Sequence, residues 1–374
     1  MQVNFNMRIK NITLVLITAS LTWSCDSSKN NNEETDNFDV TQILTNVSEN
    51  IIIERYKNLN ETADELKSSV ITFNSNVTQS NLDDLKNKFR LTYFAWQKCS
   101  AFKFGYAESN GLRGIFNTFP TDTNEIQTLL TLNNPNYEQG KYIDATGFPG
   151  LDYILFSHSD TDILNRFSVN SNKEGAKNYL LGVVNIISSK SNEAYLFWKN
   201  NTDGFKSDFS KDKSKAISSA FSNFVNEFVY DTEFLKNHQF SYPAGKYSPV
   251  QIEIIEAIHS GYNIQLLKTH LLSLKKLYLG EDEDGNNGIG LDDYLIELKS
   301  EKDGKLLNTL IIDQFDLIEA KIDINLDFID AINNQPVLIE DIHNELLKLV
   351  SYVKVPMMNE FNVTLNFNSG DGDG

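Results

Sequence analysis

Apolar side chains recur at three- and four-residue spacing along most of this 374-residue chain, a period that selects helices over strands. Ile43, Val47, Ile51, Ile52 and Tyr56 form one such stripe, and Leu82, Leu85, Phe89, Tyr93 and Trp96 form a second. A third runs through Ile254, Ile255, Ile258, Tyr262 and Leu266 and, past His270, to Leu274 with Leu277 or Tyr278. Ile311, Phe315, Ile318, Ile322, Leu326 and Ile329 make a fourth. These stripes are longer than ordinary strands, and each gives a helix one dry and one wet face. Strict alternation is scarce; residues 361–367 (FNVTLNF) are the main case and read as a short extended tail. The expected architecture is all-α. The folded part exceeds what one hydrophobic core usually serves, so two helical-bundle domains are expected, 38–205 and 206–374, joined through the polar segment 203–213.

The first 25 residues set the compartment. Arg8 and Lys10 precede a short apolar run, Ile12, Leu14, Val15, Leu16, Ile17 and Leu21, which is far below the ~20 apolar residues of a membrane span. That layout reads as a signal peptide, residues 1–25. It ends Leu21-Thr22-Trp23-Ser24-Cys25, which resembles the lipobox of bacterial lipoproteins, with Trp23 where a small residue is usual. Cys25 is therefore the expected lipidation site and membrane anchor, and a plain secreted protein cleaved nearby is the alternative. Residues 26–37 carry no apolar side chain until the fold begins and read as a disordered tether. The anchor is compatible with an outer-membrane protein facing either the periplasm or the exterior.

Only one other cysteine exists, Cys99. With Cys25 lipidated it has no disulfide partner, and its spacing from Trp96 and Phe102 makes it a buried small hydrophobe. The formal charge of -18 becomes about -20 once Arg8 and Lys10 are removed, which opposes nucleic acid and anionic lipid as partners.

Trp96 with Phe102-Lys103-Phe104-Gly105, then Leu112-Arg113 and Asn117-Thr118-Phe119-Pro120-Thr121-Asp122, resemble the Trp-bearing helix and following loop of the imelysin family, whose members are envelope proteins linked to iron uptake and also classed as metallopeptidases. Tyr242-Pro243-Ala244-Gly245, Glu256, Ser260-Gly261 and Gly290-Leu291-Asp292-Asp293-Tyr294-Leu295 match in order in the second half. Asn362-Val363-Thr364-Leu365 and Asp371-Gly372-Asp373 are similar to its C-terminus. The resemblance implies two bundles around an inter-domain cleft, with Arg113, Asn117, Asp122, Gly147 and Asp152 beside it. It also implies iron or another divalent metal as ligand, and envelope iron-uptake components as partners.

The family signature is Gly-x-His-x-x-Glu, which puts an imidazole and a carboxylate on one helix face where both reach a cation. Here Gly147, Pro149 and Asp152 stand in those places. Pro149 has no ligand atom and reads as the first residue of a helix, with Asp152 in the first turn, favoured by the helix dipole. A zinc peptidase needs ligands and a base, yet there is no paired-histidine motif. His158, His238, His259, His270 and His343 are scattered. Glu256 and His259 read as a same-face pair on one long helix, with His270 about 16 Å further along it. The expectation is a non-catalytic binding protein, with a metallopeptidase and an adhesion or structural lipoprotein as alternatives.

Arg113 is expected to pair with Asp122 or Asp152 and pin the loop, with an anionic ligand in the cleft as the alternative. Finally, residues 281–293 approximate an EF-hand calcium loop, with Asp282, Asp284, Asn286 and Asp293 at ligand spacings, although Asn287 stands where glycine is required and Asp293 replaces the bidentate Glu. A solvated inter-helix loop is the alternative.

Overall fold

A computed structural model describes residues 38–133 and 135–367. The signal peptide, Cys25, the tether 26–37 and Asp371-Gly372-Asp373 lie outside the described residues. Helices dominate, as the apolar period requires. Helix α1 (Thr41–Asn46) runs through the π-type turn Val47–Ile52 into α2 (Ile53–Ser75), and α3 (Gln79–Gln97) returns against it. Thr78 caps α3 by accepting the Asn81 N–H, which stops the two helices from merging. Short helices α4 (Leu112–Asn117) and α5 (Thr123–Leu129) lead to α6 (Gly147–Phe156), α7 (Asp160–Ser168) and the long α8 (Lys173–Lys199). The second half holds α9 (Phe205–Lys211), α10 (Ala220–Phe234) continued by the π-type turn Leu235–Ser241, α11 (Asn263–Tyr278), α12 (Leu291–Glu297), α13 (Leu307–Lys321), α14 (Phe328–Asn334) and α15 (Pro336–Tyr352).

The most extensive packing is of α2 on α8 and α3, and of α13 on α15. The first two apolar stripes are wholly buried, as is Cys99, whose thiol burial makes harder to ionise. The only strand pairing among the described residues is a two-residue hairpin, Glu301–Lys302 with Lys305–Leu306, turned by Asp303 and Gly304 at positive φ.

Several boundaries differ from the sequence reading. From Phe38 onward the described chain is one compact unit, so contacts do not divide it near residue 205. Segment 203–213 is not a linker but carries α9, whose Phe209 is buried edge-on against Trp198. The third stripe is not one helix: Ala257 and Gly261 take positive φ, and α11 starts only at Asn263. The fourth breaks at Ile322, which ends α13 in extended backbone before α14. The tail 361–367 is non-helical, and Asn226 of α10 holds it through Thr364 O and the Asn366 N–H.

Candidate functional site

Buried polar side chains from both halves of the chain meet where α3, α4, α10 and α11 converge. Glu256, on the non-helical segment before α11, is their centre. Its Oε1 lies 2.6 Å from Gln97 Nε2, 2.7 Å from Asn117 Nδ2 and 2.9 Å from the Tyr93 hydroxyl, while Gln239 Nε2 donates to Oε2 at 2.5 Å. Burial pushes the Glu256 carboxyl upward, opposed by these donors and by the His270 imidazole. A carboxylate removed from water needs such donors to stay in place.

The network continues through Gln239, whose Oε1 is 2.9 Å from His270 Nδ1; His270 Nε2 in turn lies 2.6 Å from Asp231 Oδ2. Both ring nitrogens thus face oxygens. Asp231 is lowered despite full burial, by His270 and by Arg113. Arg113 reaches Ser100 O at 2.7 Å, Glu227 at 3.2 Å and Asp231 at 3.4 Å, and its guanidinium stacks 4.6 Å from the Tyr230 ring centroid. Ser100, His270 and Asp231 do not form a hydrolytic triad. Serine and aspartate both approach Nε2, and the Ser100 hydroxyl gives its proton to Asp231 at 2.6 Å, so nothing activates it as a nucleophile.

Next to this network stands Asp152, 2% exposed, on α6. Its two oxygens accept the backbone N–H groups of His259 (2.9 Å) and Ser260 (3.0 Å). The carboxylate therefore fastens the turn at 257–261 to α6. Burial raises it to about 6, against the lowering by its Ser260 and His259 hydrogen bonds, and nearby Glu256 raises it further. A cleft of about 380 Å³ opens here, walled by Phe119, Pro120, Pro149, Ile255, Ile258 and His259, with Asp152 and Glu253 contributing carboxylates. Gly147 starts α6 at φ +69°, where a Cβ would come within 2.5 Å of Phe116 O. Only glycine allows α6 to begin against α4.

The metal that the imelysin resemblance implies does not fit these residues. Pro149 offers no donor atom, and both Asp152 oxygens are turned to backbone N–H groups. Among the described residues, no group of three or more His, Cys, Asp or Glu could hold an ion. The same holds for the loop at 281–293. Asp282 accepts from Asn286 N and Nδ2, Asp293 accepts from Gly290 N, and Glu283 is clamped between Arg55 and Lys98. Asp282, Asp284, Asn286 and Asp293 are not gathered into a calcium cage; this is a turn-rich inter-helix loop.

Of the five cleft residues read from the sequence, Asp152 lines the cleft, and Asn117 and Arg113 belong to the buried network behind it. Gly147 acts through backbone shape. Asp122 is exposed and N-caps α5 by accepting from Asn124 and Glu125, between Thr121 and Thr123, which line the cleft. Arg113 pairs with Glu227 and Asp231, not with Asp122 or Asp152. Pro149 is not the first helical residue, because α6 begins at Gly147; Asp152 consequently sits past the first turn and binds a different segment. His259 lies in a turn and His270 on α11, so they share no helix. Gln97, Ser100, Asp231 and Gln239 went unread. No local pattern marks them, since their partners come from distant parts of the chain.

The fold and site thus define an all-helical protein organised around a buried carboxylate–amide–imidazole network with a carboxylate-fastened cleft beside it. Residues 52–337 match the imelysin (peptidase M75) family model, and the chain belongs to the imelysin family. It is 22% identical over 125 residues to iron-regulated protein A of Synechococcus elongatus, a match covering 33% of this chain and 34% of that protein, so the chain spans about a third of that relative's length. The fold is similar to that of a protein described as an iron-regulated protein A precursor from Parabacteroides distasonis, at TM-score 0.68 and 15% identity, covering 86% of this chain and 95% of that one. It is also similar to an imelysin-like protein from Psychrobacter arcticus, at TM-score 0.67 and 13% identity, covering 88% and 98%. At those identities the likeness establishes the fold alone.

Proposed function

We propose that this chain is a non-catalytic binding protein of the bacterial cell envelope, held to a membrane through a lipid on Cys25 and working in iron or metal uptake with other envelope components. Family membership and the iron-regulated relative support the iron association. The lipobox-like Leu21-Thr22-Trp23-Ser24-Cys25 supports the anchor, and no described helix is long and apolar enough to cross a membrane by itself. One observation carries the non-catalytic reading: Asp152, the carboxylate of the family signature, commits both oxygens to the His259 and Ser260 N–H groups beside a proline that has replaced the histidine. A peptidase of the metal type needs a metal-held water beside its base, and a proline in place of the histidine supplies no atom to hold one.

The test pairs a hydrolysis assay with a thermal-shift screen of metals, haem and siderophores on the purified protein. The expected result is no peptide cleavage, and a melting shift with one ligand class. At a hundredfold excess over Kd, binding adds ~2.7 kcal/mol to stability. Peptide cleavage that disappears in Asp152→Ala would establish the metallopeptidase alternative. An absence of any shift would leave an adhesion or structural role.

A further inference from the structure

The cleft beside Asp152 has a composition that selects for charge type. Its apolar walls are Phe119, Pro120, Pro149, Ile255 and Ile258, Thr121 and Thr123 add hydroxyls, and its ionisable lining residues are Asp152, Glu253 and His259. No lysine or arginine lines it. Asp152 is 2% exposed, and the hydrogen bonds it accepts come from uncharged groups of His259 and Ser260. The charge that acts on it is another carboxylate, Glu256, itself held by the neutral groups of Gln97, Asn117, Gln239 and Tyr93. The interior side of the cleft therefore carries negative charge that the fold solvates with dipoles but does not neutralise there. The network's arginine, Arg113, is turned away to Glu227 and Asp231.

We infer, resting on the binding role proposed above, that this cleft takes an organic ammonium ion with an apolar body, the body against the phenylalanine, proline and isoleucine walls and the ammonium toward Asp152 and Glu253. Three features argue for that chemistry. The volume of about 380 Å³ suits an aromatic or branched aliphatic amine. Glu253, exposed at the rim, presents its carboxylate to solvent, and Asp152 sets a second carboxylate behind it. A cation entering there is attracted by a chain whose net charge is strongly negative, and it meets no like charge in the lining. A bare divalent metal is disfavoured by the same geometry, since the replacement of histidine by Pro149 leaves it short of donors while adding apolar wall. Either a free amine or a basic side chain of a peptide presents this ligand chemistry.

The experiment is titration calorimetry of the full-length protein with three probes sharing one aromatic body: phenethylamine as cation, phenylethanol as neutral isostere and phenylacetate as anion. Phenethylamine is expected to bind saturably, about tenfold or more tighter than phenylethanol, from one charge-assisted hydrogen bond. Phenylacetate is expected not to bind. Glu253→Gln, an exposed rim change that leaves folding intact, should weaken phenethylamine about two- to threefold. Asp152→Asn should remove the preference for the cation. Because that second variant also perturbs the 257–261 turn, its melting curve is recorded alongside, and the Glu253 variant alone decides the outcome if it unfolds. Binding of phenylethanol as tight as phenethylamine, or an unchanged affinity in both variants, overturns the inference. If no probe binds while another ligand class shifts the melting temperature and no hydrolysis is found, the ammonium inference fails and the binding role stands. Peptide hydrolysis would remove both.

Discussion

Replacing Asp292 with asparagine should stabilise the fold in mildly alkaline solution and have little effect in acid. Asp292 lies in the first turn of α12, 7% exposed, and its Oδ1 meets no hydrogen-bond partner. Burial first, and the adjacent Asp293 second, raise its carboxyl from 3.8 to about 7. A carboxyl raised by folding binds its proton more tightly in the folded than in the unfolded state. Stability contributed by this group is therefore lost as pH climbs through the interval from 3.8 to about 7, and the loss is complete above it. About three units at 1.36 kcal/mol each give an upper bound of ~4 kcal/mol. Asparagine keeps one carbonyl acceptor and puts an amide where an oxygen already lacks a partner, so most of that gain should survive, about 2–4 kcal/mol. Urea unfolding of both proteins at about pH 4 and about pH 8 measures it. The difference between the proteins should appear at the higher pH and nearly vanish at the lower. Equal differences at both, or destabilisation at the higher pH, would refute the assignment of a buried, uncompensated charge.

Three further outcomes are open to direct measurement. Glu256→Ala strands the amide donors of Gln97, Asn117 and Gln239 in the interior, while Tyr93 keeps Asn117 Oδ1 at 2.6 Å, and should cost about 3 kcal/mol or more by denaturant unfolding. Gly147→Ala forces a Cβ onto Phe116 O at φ +69° and should cost about 2 kcal/mol or more, whereas Gly204→Ala, at φ +78° with open space around it, should cost less. Mass spectrometry of the N-terminal peptide from protein made in its own envelope should find acylated Cys25, and an unmodified thiol there would remove the anchor.

The helical class was legible because burial follows the apolar period: residues such as Val47, Tyr56, Leu85 and Phe89 are buried as their spacing demands. The third stripe misled because Ile255, Glu256 and Ala257 are buried in a turn, and burial alone does not distinguish a turn from a helix. What ends the pattern is Ala257 at φ +51°, a conformation that no alanine announces in sequence. Segment 203–213 looked like a linker because its charged residues outnumber Phe205 and Phe209, yet two rings spaced four apart are enough to seat α9 on Trp198. The site was legible where the family signature marks it, at Gly147 and Asp152. Its network was not, because Arg113 finds Glu227 and Asp231 more than a hundred residues away, and Glu256 draws its donors from α3, α4 and the turn after α10. Such pairings depend on how helices are stacked, which local spacing does not encode.

Residue-resolved hydrogen exchange at His259 and Ser260, with and without added zinc or iron, probes the role assigned to the signature carboxylate. Both amides should be protected in the metal-free protein, unchanged by either metal, and should exchange faster in Asp152→Ala. Amides that exchange freely until a metal is added, and are then protected only when Asp152 is present, would mean that the carboxylate organises an ion rather than the turn.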